Sequence, residues 1–397
     1  MKNKKLLIRF DNVLLLLHFL LLLIICIPFS SSSIYNQFAY ILPYCNLIYI
    51  LLAGIRMWRD KNFNSVMLLV ITTILIAAIC FINGSSMGSA SAYLTLIFGM
   101  YYACKIEYND TFLELVSLTG EIYIALSTLI AHNYFIKWSS NSNLINPNVL
   151  SAITLIFLMI INIKWTSTRR GKYLIVLFNL LAIYEVWSYD SRTCLFALIV
   201  YYLFSLFISK GFRFGQKSAV VITILIIVGG MLFPLFYINT PQWLIGIISN
   251  ITHKTFYSGR QVIWKRFFDT IANDKLALFI GPGSHMESYF GEVNLGSNRI
   301  AYLSMHNSYL GIMLNFGLLG MILYCFFLAI NLRDIFKNNN DLLTSKCLIS
   351  YIVFLIVSYA EMNLLNSYEV MAFNILLGIS KNYISDVRDI MGNGQVL

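Results

Sequence analysis

The residues best suited to chemistry lie in the longest polar stretch of the chain, residues 239–307. Ser258 is predicted to cap a helix that begins at Gly259, which places Arg260 in the first helical turn. The helix dipole disfavours a cation there, so this position indicates an anionic partner, which the free N–H groups of a helix end also bind. His306 ends the stretch and has an intrinsic pKa suited to proton transfer, although a lone His is more often structural.

The predicted helix that contains Arg260 has an apolar face and a basic face. Helical spacing places five apolar residues on one side: Ile263, Trp264, Phe267, Phe268 and Ile271. Lys265 and Arg266 lie on the other side. One interpretation is an interfacial helix that rests on lipid headgroups, and the other is that Lys265 contributes to binding an anionic substrate.

Two further polar motifs stand where predicted apolar segments begin. Asn146-Pro147-Asn148 opens one segment, and its simplest explanation is a turn followed by a helix cap. Arg192 opens another segment directly after Asp190 and Ser191. An Arg at such a depth is costly unless it is paired or functional. An Asp190–Arg192 ion pair and an Arg whose head reaches back to the membrane surface are the structural alternatives.

The composition indicates a membrane protein. Hydrophobic residues make up 58% of the chain, charged residues 12%, and the mean hydropathy is +0.73, whereas about a quarter of the residues of a soluble domain are charged. Apolar runs of about 20 residues recur, each long enough to cross a hydrocarbon core, and backbone groups in lipid must be satisfied internally, which requires helices. We predict an all-α fold of about twelve transmembrane helices, the last one short, at residues 12–30, 37–55, 65–83, 89–104, 112–132, 148–164, 173–189, 191–209, 218–238, 308–331, 347–365 and 368–380.

The distribution of basic residues predicts the topology. With a cytoplasmic N-terminus, 20 of the 28 Lys and Arg residues fall in cytoplasmic segments, as the positive-inside rule requires. Residues 1–238 then hold nine spans, residues 239–307 form a large extracytoplasmic loop, and residues 308–397 hold three spans and a cytoplasmic C-terminus. Nucleic-acid binding is not expected, because the basic residues are scattered over short turns.

The order of these motifs resembles that of a known family. In chain order they are Asn-Pro-Asn at 146–148, Ser-Arg at 191–192, Ser-Gly-Arg at 258–260, Gly-Pro-Gly at 281–283, and His-Asn-Ser-Tyr-Leu at 306–310, followed by Gly317 and Gly320. Their order and membrane placement resemble the O-antigen ligase and Wzy-type polymerase superfamily of bacterial envelope polysaccharide synthesis. The resemblance implies a GT-C-type glycosyltransferase, metal-independent and inverting, which works at the outer face of the cytoplasmic membrane.

The resemblance also implies site residues. Arg192, Arg260 and His306 match the catalytic positions of the family. Substrate contacts are predicted for six residues: Arg192, Arg260, Asn307, Tyr309, Asn148 and Lys265.

The chemistry of glycosyl transfer supports the same residues. A diphosphate leaving group gathers charge, which enzymes neutralise with a divalent metal or with fixed cations. The predicted outer segments contain no Asp-x-Asp or His-x-x-Glu-His motif, so we predict no metal and no other cofactor. Arg192 and Arg260 then supply the cations. His306 is either the base for the acceptor hydroxyl or a hydrogen-bond donor to the diphosphate, and the acidic alternatives for the base are Glu121, Asp190, Glu287 and Glu292.

We therefore predict a polymerase that joins oligosaccharide repeat units on undecaprenyl diphosphate, as donor and acceptor, into O-antigen or capsular polysaccharide. A ligase that transfers the glycan to lipid A–core is the alternative, although the Gly-Pro-Gly and His-Asn-Ser-Tyr-Leu forms look more polymerase-like. A flippase or other transporter is the alternative of another class, but it should concentrate ionisable groups near mid-membrane. Expected partners are the lipid-linked oligosaccharide, membrane lipids, a chain-length regulator and a flippase.

Overall fold

The computed structural model describes residues 10–26, 32–132, 134, 145–165, 169–209, 211–252, 260–283, 305–338 and 341–384. Within these residues the chain is almost entirely helical, which confirms the predicted all-α class. The described residues also contain one small parallel ladder, in which β1 (Tyr108–Asn109) pairs with β2 (Tyr383–Ile384).

The helices are numbered here in chain order. They are α1 (Phe10–Cys26), α2 (Ser32–Arg59), α3 (Phe63–Asn83), α4 (Met87–Leu94), α5 (Met100–Ala103), α6 (Asp110–Ala131), α7 (Pro147–Lys164), α8 (Arg169–Ser188), α9 (Arg192–Ser209), α10 (Gln216–Ile238), α11 (Gln242–Thr252), α12 (Arg260–Asn273), α13 (Lys275–Ile280), α14 (Ser308–Asn338), α15 (Leu342–Val357) and α16 (Ser367–Asn382). A π-helical segment, Thr95–Gly99, joins α4 to α5, and a 3-10 helix, Asn363–Leu365, precedes α16.

Five helices in the described part of the chain are long and apolar enough to cross a membrane: α3, α6, α7, α10 and α14. Four shorter helices, α1, α8, α9 and α15, are also apolar. Large hydrophobic side chains are exposed along these apolar helices, such as Phe81 on α3 at 91% and Leu129 on α6 at 79%. A protein with this surface is an integral membrane protein, because water would not tolerate so much exposed apolar area. The total of about twelve spans stays a prediction.

Polar side chains cap the starts of several helices. Asn146 Oδ1 accepts the backbone N–H of Asn148 at 2.9 Å, and Pro147 occupies the first position of α7. The predicted turn and cap at Asn-Pro-Asn are thus confirmed. Asn109 caps α6 and Asp341 caps α15 in the same way.

One predicted span is wrong at its carboxyl end. The apolar run at 347–365 predicts a continuous helix, but α15 ends at Val357 and residues 358–366 form turns around the 3-10 helix. Polar residues explain the break, because Glu361 and Asn366 both use their side chains in hydrogen bonds to other polar side chains. The fourth predicted span, 89–104, is interrupted by the π-helical segment.

The Gly-Pro-Gly turn after α13 is hydrogen-bonded to α14 next to a kink in that helix. Gly283 N donates to the carbonyl of Leu314 at 2.8 Å, and Asn83 Nδ2 donates to the carbonyls of Ile280 and Asn315, both at 2.9 Å. The kink lies at Gly317, where φ is 59° and ψ is −161°. Only glycine adopts this conformation readily.

Gly317→Ala is therefore expected to destabilise the protein strongly. An added Cβ would overlap the backbone carbonyl of Phe279, and the combined backbone and packing cost is about 3 kcal/mol or more. We expect the variant to unfold at lower temperature or fail to accumulate in membranes. Gly246→Ala is the matched control, since a Cβ there meets nothing within 4 Å, and an equal loss in both variants would contradict the assignment.

Candidate active site

Glu361, in the segment that follows α15, lies at the centre of the candidate site. Its Oε1 is 3.4 Å from Nη2 of Arg260 and accepts a 3.0 Å hydrogen bond from Nδ2 of Asn148. Its carbonyl accepts a 2.6 Å hydrogen bond from Oγ of Ser308. The N-terminal ends of α7, α12 and α14 therefore meet around this one residue.

Arg260 is the first residue of α12 in the structure, and its predicted cap, Ser258, with Gly259, lies outside the described residues. The predicted anionic partner is confirmed as Glu361. The two side chains are only 20% and 13% exposed, so the pair is largely withdrawn from water. This single contact of 3.4 Å uses only part of the guanidinium fork, so N–H donors of Arg260 stay unused among the residues that the structure describes.

Glu361 is held in an unusual electrostatic state. Burial raises the pKa of its carboxyl to about 7, while the neighbouring Arg260 acts in the opposite direction. Near neutral pH the carboxyl is therefore close to its midpoint of ionisation. A second carboxyl, that of Glu369, is buried nearby and accepts a hydrogen bond from Asn366 Nδ2 at 3.1 Å.

His306 lies two residues before the start of α14. Burial lowers the pKa of its imidazole to about 4, and the positive charge of Arg260 contributes to the same shift. His306 is therefore neutral at physiological pH. Its backbone has a φ of 46°, a left-handed conformation that non-glycine residues adopt rarely and that often marks functional positions.

Trp264 fixes the backbone next to His306. The indole is fully buried, and its Nε1 donates to the carbonyl of Met305 at 2.7 Å. The ring also packs edge-on against Tyr237 at 5.1 Å and Phe233 at 6.1 Å, both on α10. The apolar face predicted for this helix thus binds protein rather than lipid headgroups at this point. Through Trp264, α12 carries Arg260 and positions His306 at the same time.

Asn307 and Tyr309, predicted as substrate contacts, are buried inside the bundle. Asn307 Nδ2 donates to the carbonyls of Gly230 and Tyr359 at 3.0 and 2.9 Å, and its Oδ1 accepts the N–H of Leu310. Tyr309 is fully buried and its hydroxyl donates to the carbonyl of Leu355 at 2.8 Å. Since these polar groups are occupied within the protein, the structure gives both residues a positioning role in place of the expected substrate contact.

The remaining predicted residues stand outside this cluster. Arg192 begins α9 with an exposed side chain, which makes no ion pair or hydrogen bond to the residues that the structure describes. Lys265, on α12, is exposed, whereas its neighbour Trp264 is buried. Ser191, one residue before Arg192, has a buried hydroxyl with no partner among the described residues. Arg192 and Lys265 are exposed and accessible to a ligand, but the structure does not bring them together with Glu361.

Of the acidic alternatives for the base, Glu121 has its contacts away from the cluster. Glu121 accepts hydrogen bonds from Trp165 and Ser117, and Trp165 follows the end of α7 opposite to Asn148. Glu287 and Glu292 lie outside the described residues. Within the described residues no group of three or more His, Cys, Asp or Glu side chains is placed to hold a metal ion.

Sequence reasoning missed Glu361, which the structure places closest to Arg260. A signal was present, because residues 358–369 interrupt two apolar runs with two Glu and two Asn: Glu361, Asn363, Asn366 and Glu369. It also missed Gly229 and Gly230, where any side chain would overlap the rings of Tyr359 and Tyr309. These glycines let α10 approach the start of α14 closely.

Residues 174–325 match the family model Wzy_C, which is described as O-antigen ligase. The match includes Arg192, Arg260 and His306 together with α12 and the Gly-Pro-Gly turn. No curated protein and no solved structure is significantly similar to the chain.

Proposed function

Residues 174–325 match the Wzy_C model of the O-antigen ligase family, in agreement with the sequence motifs, and from this match we propose that the protein is a polysaccharide polymerase. The family indicates a membrane protein that transfers glycosyl groups and uses lipid-linked polysaccharide substrates. In our proposal the protein joins oligosaccharide repeat units carried on undecaprenyl diphosphate, and both donor and acceptor are lipid-linked.

The single observation that carries the proposal is the buried Arg260–Glu361 ion pair beside a neutral His306. A diphosphate leaving group requires a cation that stays charged, and Arg260 has one. An acceptor hydroxyl requires a base that is unprotonated at the working pH, and the low pKa of His306 provides one. A cationic imidazole that binds the diphosphate is the weaker alternative, because burial disfavours its charged form.

The proposed step is a single displacement with inversion. The acceptor hydroxyl oxygen forms a bond to the anomeric carbon while the bond from that carbon to the donor diphosphate breaks. The hydroxyl proton goes to the His306 imidazole, and the electron pair of the broken bond stays on the undecaprenyl diphosphate. Arg260 stabilises this developing charge by exchanging Glu361 for the phosphate oxygens, and the exposed Arg192 supplies a second cation.

Ligation of the glycan to lipid A–core is the second candidate function, and the description of the matching family favours it. The two functions share the donor and the chemistry and differ in the acceptor. We favour polymerisation because of the Gly-Pro-Gly and His-Asn-Ser-Tyr-Leu forms of the motifs.

The proposal includes the membrane arrangement. We place about twelve spans of a GT-C-type fold in the cytoplasmic membrane, with both termini in the cytoplasm and residues 239–307 outside. The basic residues support this orientation. A flippase that delivers repeat units and a regulator of chain length are the expected partners, and the product is O-antigen or capsular polysaccharide.

An assay with purified protein tests the function. Lipid-linked repeat unit alone should yield products of increasing length, observed by gel electrophoresis and mass spectrometry, and EDTA should leave the rate unchanged. Products that appear only when lipid A–core is added would establish the ligase instead. An absence of any transfer with either acceptor, from protein that is folded and monodisperse, would contradict the proposal.

The variant Glu361→Gln tests whether Glu361 competes with the donor for Arg260 or acts as the catalytic base. If Glu361 only holds Arg260, the variant should keep its turnover number and bind donor about tenfold more tightly, because a charge-assisted competitor is removed. In the wild type, donor binding should also weaken as pH rises through about 7, where Glu361 ionises, and this weakening should disappear in the variant. A loss of turnover of about 10²-fold or more would instead make Glu361 the base.

A further inference from the structure

A cavity lies at the end of the helix bundle opposite to the candidate site. It is a groove of about 650 Å³ between α8, α9 and α15. One wall consists of apolar side chains that are exposed on the surface of α8, namely Val176 at 59%, Leu180 at 61% and Ile183 at 39%. On the surface of a membrane protein such a wall faces lipid.

The neutral polar groups in the groove are largely bonded to one another. Asn162 and Asn179 exchange amide hydrogen bonds of 3.2 and 2.8 Å, and the Tyr202 hydroxyl donates to Asn179 Oδ1 at 2.7 Å. These groups therefore stabilise the contact between α7, α8 and α9. They leave little capacity to recognise a polar ligand.

The charged residue among those that line the groove is Lys346, four residues into α15. Its ammonium makes no hydrogen bond or ion pair within the part of the chain that the structure describes. Arg213 lies close enough to repel it, and the Arg213 guanidinium donates to the backbone carbonyls of Ile208 and Phe212. The nearest acidic residue in the sequence, Asp341, accepts the N–H of Thr344 as the cap of α15.

The groove is separated from the candidate site by the length of the bundle. Asn148 and Asn162 lie near opposite ends of α7, whose 18 residues span about 27 Å at 1.5 Å per residue. Likewise, Lys346 stands near the start of α15, whereas Glu361 follows its end. A lipid headgroup at Lys346 therefore lies at the opposite membrane surface from Arg260 and His306.

We propose that this groove binds an anionic phospholipid of the membrane. Its phosphate contacts Lys346, near Arg213, and one acyl chain lies along Val176, Leu180 and Ile183. Lys346 at the end of the apolar groove and the neighbouring Arg213 have no carboxylate partner among the described residues, so they are complementary to an anionic headgroup. Basic pockets between transmembrane helices commonly bind such lipids. A bound acyl chain would also cover apolar surface at the α8–α9 contact and hold α9, which begins at Arg192 on the other side.

Lipid retention by the purified full-length protein tests the proposal. The protein is equilibrated in detergent with equal amounts of phosphatidylglycerol and phosphatidylcholine, and the bound lipid is counted by native mass spectrometry. We expect wild type to retain phosphatidylglycerol preferentially and Lys346→Ala to retain it about fivefold less, since one Lys contributes about 1 kcal/mol at a membrane surface. Lys346→Arg should retain it, which shows that charge at this position is what is required.

Lys337→Ala is the matched control, because Lys337 is an exposed basic residue in the last turn of α14 and does not line the groove. It should behave as wild type. Equal retention of the two lipids by wild type would overturn the proposal, and so would equal retention of phosphatidylglycerol by Lys346→Ala and Lys337→Ala. Thermal unfolding of each variant without added lipid shows whether a loss of lipid binding results from misfolding. If Lys346→Ala is misfolded, retention of phosphatidylglycerol by Lys346→Arg still tests whether charge at this position is required.

Discussion

Arg260→Ala is expected to lower the rate of glycosyl transfer by about 10²- to 10³-fold, which corresponds to about 2.7–4 kcal/mol of lost transition-state stabilisation. The physical reason is the position of the guanidinium, which is mostly buried and paired with Glu361 at 3.4 Å. In such surroundings a fixed cation acts on developing phosphate charge more strongly than it would in water. The measurement is the initial rate of product formation from lipid-linked repeat unit by purified protein at equal concentration.

Two companion variants sharpen this experiment. Arg260→Lys keeps the charge but loses the planar fork, so its rate should fall between those of wild type and Arg260→Ala. Arg266→Ala is the matched control on the same helix, because Arg266 lines a separate cavity with Thr270, and its rate should stay within about twofold of wild type. Wild-type activity in Arg260→Ala would remove this residue from the mechanism.

His306→Ala is expected to abolish transfer while leaving donor binding in place. The imidazole is the proposed base, and removing a positioned base typically costs about 10²- to 10⁴-fold in rate. His306→Asn is the better-matched variant, since Asn tolerates the left-handed backbone observed at this position. Both variants should be inactive, and normal turnover by either one would leave the imidazole without a role.

The pH dependence distinguishes the two roles of His306. A base must be unprotonated, and the pKa of about 4 means that the imidazole is neutral at all higher pH values. The ratio kcat/KM should therefore show no loss from His306 protonation between about pH 5 and about 9. If the residue served as a cation, activity would be confined to pH values below about 4. His306→Lys would then retain partial activity.

Apolar patterning predicted several of the helices closely. Long apolar runs require helices in lipid, so the predicted segments at 148–164 and 218–238 differ from α7 and α10 by at most two residues at each end. The prediction of a continuous helix at 347–365 was wrong because this run is not uniformly apolar. Hydropathy averages over a window, and the apolar residues around Glu361 hid a polar turn that tertiary hydrogen bonds stabilise.

The site was predicted only in part, for reasons that the contacts make clear. The unfavourable place of Arg260 at a helix start required an anion, and the structure supplies Glu361. The identity of that anion depends on a contact between residues 101 positions apart, which no local pattern encodes. Asn307 and Tyr309 are polar, which suggested ligand contacts, but both side chains donate hydrogen bonds to backbone carbonyls inside the helix bundle. Residue type alone does not show whether a polar side chain contacts a ligand or a neighbouring helix.

The most direct test of the account is the affinity of the inactive His306→Ala protein for the lipid-linked donor. This variant binds donor without consuming it, so the dissociation constant is measured at equilibrium, with and without a second substitution, Arg260→Ala. If Arg260 holds the diphosphate, His306→Ala should bind donor as wild type does, and the double variant should bind it about 10²-fold more weakly. Equal affinity of the single and double variants would contradict the account.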